Sequence, residues 1–239
     1  MIVDVTSMGY REINQTIRDA VRSVTLTGCC GQRFIGAGMS GRTVTVEGVP
    51  GNALGAYLNG AGITVHANAQ DAVGDTMNDG EIVIYGSVGD AVGYAMRGGD
   101  IYVKGNAGYR AGIHMKEYRT KVPHLVIGGA AGCFLGEYQA GGVIVVLGLG
   151  TERCVPVGEY PCTGMHGGKM YLRGKIPETF FPMGVISRPV SDEERKELGE
   201  YVTKYCSLFG GIPDEILAQP FTAVVPDSKN PYKQMYVAN

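Results

Sequence analysis

Nowhere in its 239 residues does the chain approach the eighteen or more consecutive apolar residues of a membrane-spanning helix. Its opening Met1-Ile-Val-Asp has neither the basic nor the apolar region of a secretory leader. The expectation is a cytoplasmic chain with no membrane attachment. Six cysteines, Cys29, Cys30, Cys133, Cys154, Cys162 and Cys206, make no C-x-x-C pair and no dense framework, which suits a reducing compartment and gives no iron–sulfur ligand set. His66, His114, His124 and His166 stand at no metal-ligand spacing, and Cys154, Cys162 and His166 match no zinc pattern. A net charge of −2 argues against a general nucleic-acid binder. No G-x-S-x-G elbow occurs, since Gly38-Met-Ser40 meets its second glycine one place early.

What the chain has instead is glycine, 38 residues of it, without a collagen triplet. Gly36, Gly55, Gly74, Gly93 and Gly112 follow one another at nineteen residues, and Gly136 and Cys162 continue the series after insertions. Four apolar ladders keep the same register. They are Ile35, Leu54, Val73, Val92, Ala111, Leu135 and Pro161; Met39, Leu58, Met77, Met96, Met115, Gln139 and Met165; Val44, Ile63, Ile82, Ile101, Leu125, Ile144 and Met170; and Val46, Val65, Ile84, Val103, Ile127, Val146 and Leu172. Fixed-period self-similarity marks a repeat architecture. Inside the unit, Gly80-Glu-Ile-Val-Ile-Tyr-Gly86 alternates between glycines as a strand does. Stacking such coils at roughly 4.8 Å pairs each strand with its counterpart above and below. The fold class expected is all-β: a single-stranded right-handed parallel β-helix of about seven coils, each with two or three short strands.

The repeat occupies residues 31–176, between an N-terminal cap (1–30) and a C-terminal helix with an extended tail (177–239). In the cap, Ile13, Ile17 and Ala20/Val21 fall at helical spacing, and Ser23-Val-Thr-Leu-Thr27 is a strand candidate. Near the other end, Ser191-Asp-Glu-Glu194 is a capping box opening a helix through Leu198, Tyr201, Val202 and Tyr205 to Gly210-Gly211. Pro213, Pro220, Pro226 and Pro231 are expected to break any regular element beyond it.

Insertions are where a regular scaffold carries function. The first, after Met115, is charged and aromatic, and Lys116, Glu117, Tyr118, Arg119 and Lys121 are the candidate partner contacts, against the alternative of a solvated bulge. The second, around Thr151-Glu-Arg-Cys-Val-Pro156, carries less chemistry. Coil register also stacks Asp71 on Asp90 and Glu81 on Asp100. Such pairs can share a proton, bind calcium or cleave sugars; the favoured reading is that Asp71 and Asp90 bond corner amides and that Glu81 and Asp100 are solvated at strand starts. Gly36-Ala-Gly38-Met-Ser-Gly41 is literally the dinucleotide fingerprint, yet it leads into a strand where the fingerprint requires a helix. The methionine ladder reads as core. No catalytic, cofactor-binding or metal-binding residue is assigned.

The units Gly51-Asn-Ala-Leu-Gly-Ala-Tyr-Leu58, Gly89-Asp-Ala-Val-Gly-Tyr-Ala-Met-Arg-Gly-Gly99 and Gly164-Met-His-Gly-Gly168 carry a resemblance. They look like the GXGXG β-helix domain that ends the large subunit of glutamate synthase, and the whole chain is similar to its stand-alone form. A scaffold subunit of formylmethanofuran dehydrogenase is a more distant relative. The resemblance implies a non-catalytic structural subunit of a glutamate synthase-type complex. Its implied partners are a class II glutamine amidotransferase and an FMN-binding synthase subunit, the latter holding the FMN and the iron–sulfur cluster. It carries over no catalytic position, and self-association stays open. Two alternatives are a scaffold for a formylmethanofuran dehydrogenase-like complex and a carbohydrate-active β-helix enzyme using Asp71/Asp90 or Glu81/Asp100.

Overall fold

The computed structural model describes residues 1–151 and 155–227. Nine strands run parallel and adjacent in chain order: β1 (Ile2–Asp4), β2 (Ser23–Cys30), β3 (Thr43–Val49), β4 (Asn59–Val65), β5 (Asp79–Ile84), β6 (Gly99–Val103), β7 (Pro123–Ile127), β8 (Ala140–Val146) and β9 (Gly167–Arg173). This is the parallel β-solenoid that the ladders imply. Ile63 pairs with Ile82, Ile82 with Ile101, Ile101 with Leu125, Leu125 with Ile144 and Ile144 with Met170, so the sequence period is the strand register itself. All four ladders lie in the interior, buried. The polar member, Gln139, donates its amide to the carbonyls of Gly141 and Gly142 at 3.1 and 3.0 Å.

Three features differ from the sequence-based expectation. The first is the number of strands per coil. Each coil has one full strand; a second side is reduced to single bridges joining Ala69, Val88, Ala107, Ala131 and Val157. The third side is no strand at all. There, alternate residues are left-handed, as in Ala72, Gly74 and Thr76 at φ of 58°, 68° and 52°. Their amides bond to neighbouring coils in alternation: Ala72 to the Asp90 carbonyl above, Gly74 to Leu54 below, Thr76 to Tyr94 above. Backbone polarity is thus satisfied without strand geometry. The middle position needs glycine where a Cβ would collide with the next coil's ladder, 2.4 Å from Ile101 Cδ1 at Gly74. Cys162 takes this place in the last coil, where no parallel coil follows to crowd it.

The second difference lies at the N-terminal end. Helix α1 (Tyr10–Asp19) buries Ile13, Asn14 and Ile17, with Ala20 just beyond its end also buried, but Val21 is 89% exposed. Strand β2, expected in the cap, is a further coil, with Val24 opposite Val44 and Leu26 opposite Val46 before a bulge between Leu26 and Cys29 shifts the register.

The third concerns the prolines. Helix α2 (Asp192–Phe209) forms as expected, with the reciprocal Ser191–Glu194 capping box. It is preceded by β10 (Val185–Pro189) and followed by α3 (Pro213–Leu217) and a further strand, β11 (Phe221–Pro226). That last strand runs antiparallel between β9 and β10, leaving β10 as the edge of the sheet. Pro220 precedes it and Pro226 ends it, so neither removes an interior ladder donor. The expected tail over 228–239 lies outside the described residues.

Helix α2 lies on the outer face of the sheet. Leu198, Val202, Tyr205 and Cys206 pack with Tyr102, Val126, Val145 and Tyr171 in a second apolar cluster. Later strands are therefore buried on both faces, and β7 and β8 read as nearly continuous apolar runs.

Candidate interaction surface

The stacked carboxylates come apart into separate structural tasks. Asp71 Oδ1 accepts from the Asp90 amide at 2.9 Å, and Asp90 Oδ1 from the Tyr109 amide at 2.8 Å. Asn52 serves Asp71 in the same way, and Asn68, Ser87 and Asn106 cap a neighbouring row of corner amides. Glu81 and Asp100 are in register on adjacent strands but are drawn to different side chains. Glu81 sits 3.0 Å from Lys204 on α2, while Asp100 Oδ1 is 2.7 Å from Nδ1 of His124. Neither pair holds two carboxyls around a shared space, as glycoside hydrolysis requires.

Beneath the first insertion, an open cavity of about 490 Å³ is lined by Glu117, His124, Lys169, Glu197 and Tyr201. Lys169 and the Tyr171 hydroxyl both donate to Glu197 Oε2, at 2.8 and 2.6 Å. Burial, then the neighbouring Glu197, raises the Tyr171 phenol above its ordinary range, and the same two causes raise Tyr201. These phenols stay protonated at neutral pH. The Asp100–His124 couple could orient a base, yet no hydroxyl or thiol is hydrogen-bonded to it among the described residues. Nor do three or more His, Cys, Asp or Glu side chains converge on a metal position among those residues. Cys154, one member of the Cys154/Cys162/His166 grouping, lies outside them.

The insertion itself is a tight, tied-down turn. Tyr118 and Lys121 exchange backbone hydrogen bonds of 3.1 and 3.0 Å around Arg119, whose φ is 58°. Lys121 Nζ reaches Asp79 at 2.7 Å, and Glu117 Oε1 accepts from the Gly142 amide at 3.1 Å. These two candidates therefore anchor the base of the turn. Lys116, Tyr118 and Arg119 remain outward, with the Arg119 guanidinium 5.2 Å from the Tyr118 ring centre.

The larger outward feature lies on the left-handed side of the later coils. Two rows of rings run along the solenoid axis there. In one, His114 stacks on Tyr138 at 5.3 Å and 8°, with Tyr94 edge-on to His114 at 5.9 Å. In the other, Tyr109, Phe134 and Tyr160 follow at 5.2 Å steps, with Arg110 over the first two rings and 3.5 Å from Glu137. Tyr138 is 40% exposed and Tyr160 60%. The Tyr138 ring lies over Gly164, where a Cβ would come within 2.5 Å of it. Apart from the stacked His114–Tyr138 pair the rings meet edge-on or tilted, and the tyrosines of both rows stay partly exposed. That is the chemistry of a protein-binding surface more than of a sugar platform.

Sequence reasoning missed these rows because it tracked only interior ladders. The signal was available: Phe134 and Tyr160 occupy one column of the repeat, and His114 and Tyr138 another.

The family profile described as "GXGXG motif" matches residues 4–227. The uncharacterized protein MJ1350 of Methanocaldococcus jannaschii is 40% identical over 250 aligned residues, covering 99% of this chain and 96% of the relative.

Proposed function

Because the chain belongs to the GXGXG motif family, we propose that it is a non-catalytic structural β-helix subunit of a glutamate synthase-type complex, with the aromatic rows as its contact surface. The partners in this reading are a class II glutamine amidotransferase and an FMN-binding synthase polypeptide, assembled in the cytoplasm. One observation carries it: the carboxylates of Asp71, Asp90, Glu81 and Asp100 are spent on amides and side chains of the chain itself, whereas Tyr94, Tyr109, Tyr138 and Tyr160 stay exposed along one flank. Exposed tyrosines in a rigid array are favourable interface anchors, since little side-chain freedom is lost on binding. Lys116, Tyr118 and Arg119 are further exposed candidates for partner contact.

In this reading the flavin and the iron–sulfur cluster belong to the partner, and two of this chain's cysteines are poorly suited as cluster ligands. Burial pushes the Cys29 thiol up to about 11 and the Cys162 thiol up to about 12, and the two sit in different coils. Cluster ligands must be grouped thiolates. The carbohydrate-enzyme reading loses its residues to the capping and pairing described above, and nothing favours it.

The test is purification of the native complex with its partners identified by mass spectrometry, then assay of flavin absorbance and glutamine-dependent oxidation of a reduced donor. An amidotransferase and a flavoprotein should accompany the wild-type chain. They should be lost with Tyr138→Asn/Tyr160→Asn, asparagine being chosen because it tolerates left-handed backbone. A wild-type chain that purifies alone, colourless, overturns the proposal.

A further inference from the structure

The N-terminal end carries a different outward chemistry. Between α1 and the left-handed turns of the first coils lies a cleft of about 550 Å³, lined by Tyr10, Arg11, Arg18, Phe34, Tyr57 and Asp75. It adjoins a smaller one of about 230 Å³ that shares Arg18 and adds Gly38, Ser40 and Arg42. Among the described residues, the guanidinium groups here are uncommitted to carboxylates. Arg18 donates to its helix neighbour Gln15, and Arg42 to the backbone carbonyls of Gly41 and Arg18. The Arg42 Nε is buried without a partner among those residues, and Arg11 lies 5.5 Å from the Tyr10 ring centre. Asp75, a carboxylate lining the larger cavity, accepts from the Thr76 hydroxyl. At the other end of the chain, by contrast, Arg188 is held in both arms by Glu194.

Of the rings lining the cleft, Tyr10 and Phe34 meet at 5.7 Å, while Tyr57 stands apart. Tyr57 occupies the same repeat column as His114 and Tyr138, but its neighbours in that column are Gly38 and Thr76, so no ring of that column covers either face. It is 58% exposed. Gly38, which lines the smaller cavity, is left-handed, with nothing within 4 Å of where a Cβ would stand.

We propose that this cleft binds a phosphate ester bearing a planar heteroaromatic group, of the chemical class of a nucleoside monophosphate. The ring system stacks on Tyr57 beside Phe34, and the phosphate is met by Arg18, Arg42 and the Ser40 hydroxyl. Arginine forks suit phosphate oxygens, stacking on an aromatic side chain tolerates any base, and the volume is that of a small-ligand site. The glycine fingerprint plays no helix-borne part, since these glycines lead into β3; guanidinium groups and a bare ring supply the recognition.

The experiment is calorimetric titration of the full chain at low ionic strength with adenosine 5′-monophosphate, adenosine and inorganic phosphate. The nucleotide is expected to bind at least about tenfold more tightly than either part, because both halves of the site contribute. Arg18→Ala and Tyr57→Ala are each expected to weaken it by about tenfold or more. Neither should disturb folding: the Arg18 side chain bonds to Gln15 on its own helix surface, its carbonyl is kept in the alanine variant, and Ala95 holds the position equivalent to Tyr57 at φ 49°. An unchanged thermal midpoint checks this. Absence of nucleotide binding, equal affinity for phosphate alone, or variants that bind as wild type would each overturn the proposal.

Discussion

The outward column of the sheet changes character partway along. Thr25, Thr45 and Thr64 in the first coils stand in unbroken register with Val83, Tyr102, Val126, Val145 and Tyr171 in the later ones. The interior column beside it stays aliphatic throughout. The threonines are half-exposed; the later residues are buried, with Tyr102, Val126, Val145 and Tyr171 packed in the cluster that α2 covers. Coil periodicity fixes what faces in, because every coil shares one interior. What faces out is free to vary, and it reports which part of the scaffold another element covers. On the left-handed flank the same freedom gives paired ring rows in the later coils and a basic, unstacked cleft in the first.

The comparison breaks or sharpens under three measurements. The largest effect belongs to Tyr205→Ala. Its hydroxyl donates to the Lys104 carbonyl at 2.9 Å, its ring meets Phe209 at 4.9 Å, and Gly128 leaves room for it, a Cβ there falling 2.0 Å from the phenol oxygen. Urea denaturation should show a loss of about 3–5 kcal/mol. A loss below about 1 kcal/mol would mean that α2 is decoration and not cover.

A smaller effect concerns the start of that helix. The Arg188 guanidinium, with help from the Ser191 backbone and side chain, lowers the Glu194 carboxyl from 4.5 to about 2. A carboxyl depressed on folding stabilises fully above its unfolded value, and the contribution fades as pH falls from about 4.5 through about 2. Arg188 is 43% exposed, so solvent screening limits the contribution to about 1 kcal/mol. Stability measured across that window should fall in the wild type, and the corresponding step should be missing from Glu194→Gln. Equal pH profiles would refute the assigned coupling.

The smallest effect is expected at Thr64→Ala, in the uncovered half of the same column. The threonine is half-exposed and the interior ladder beside it is untouched, so the change should stay within about 1 kcal/mol. A cost rivalling that of Tyr205→Ala would show that the first coils are covered too.

Much of this was legible in the residues. Ile63, Ile82 and Ile101 announced their own stacking, and Ser191 with Glu194 announced the helix start. The aromatic rows were also in the sequence, as repeat columns outside the apolar ladders. Pro220 and Pro226 were misread because a proline's effect depends on whether its missing donor falls inside or at the end of a strand. The charged insertion was correctly placed at the surface, but only the structure shows Lys121 and Glu117 turned back to anchor it.

By itself, then, the sequence determined the coil register and the contents of the interior. Both follow from a fixed period, and a period is a local property that neighbouring units repeat. Which flank is covered was settled only by tertiary contacts such as Tyr205 with Lys104, 101 residues apart, and Tyr85 with Leu208, 123 apart. No periodicity encodes those pairings. They depend on where α2 can bury Leu198, Val202 and Tyr205 at once, and that place exists only after the coils have stacked.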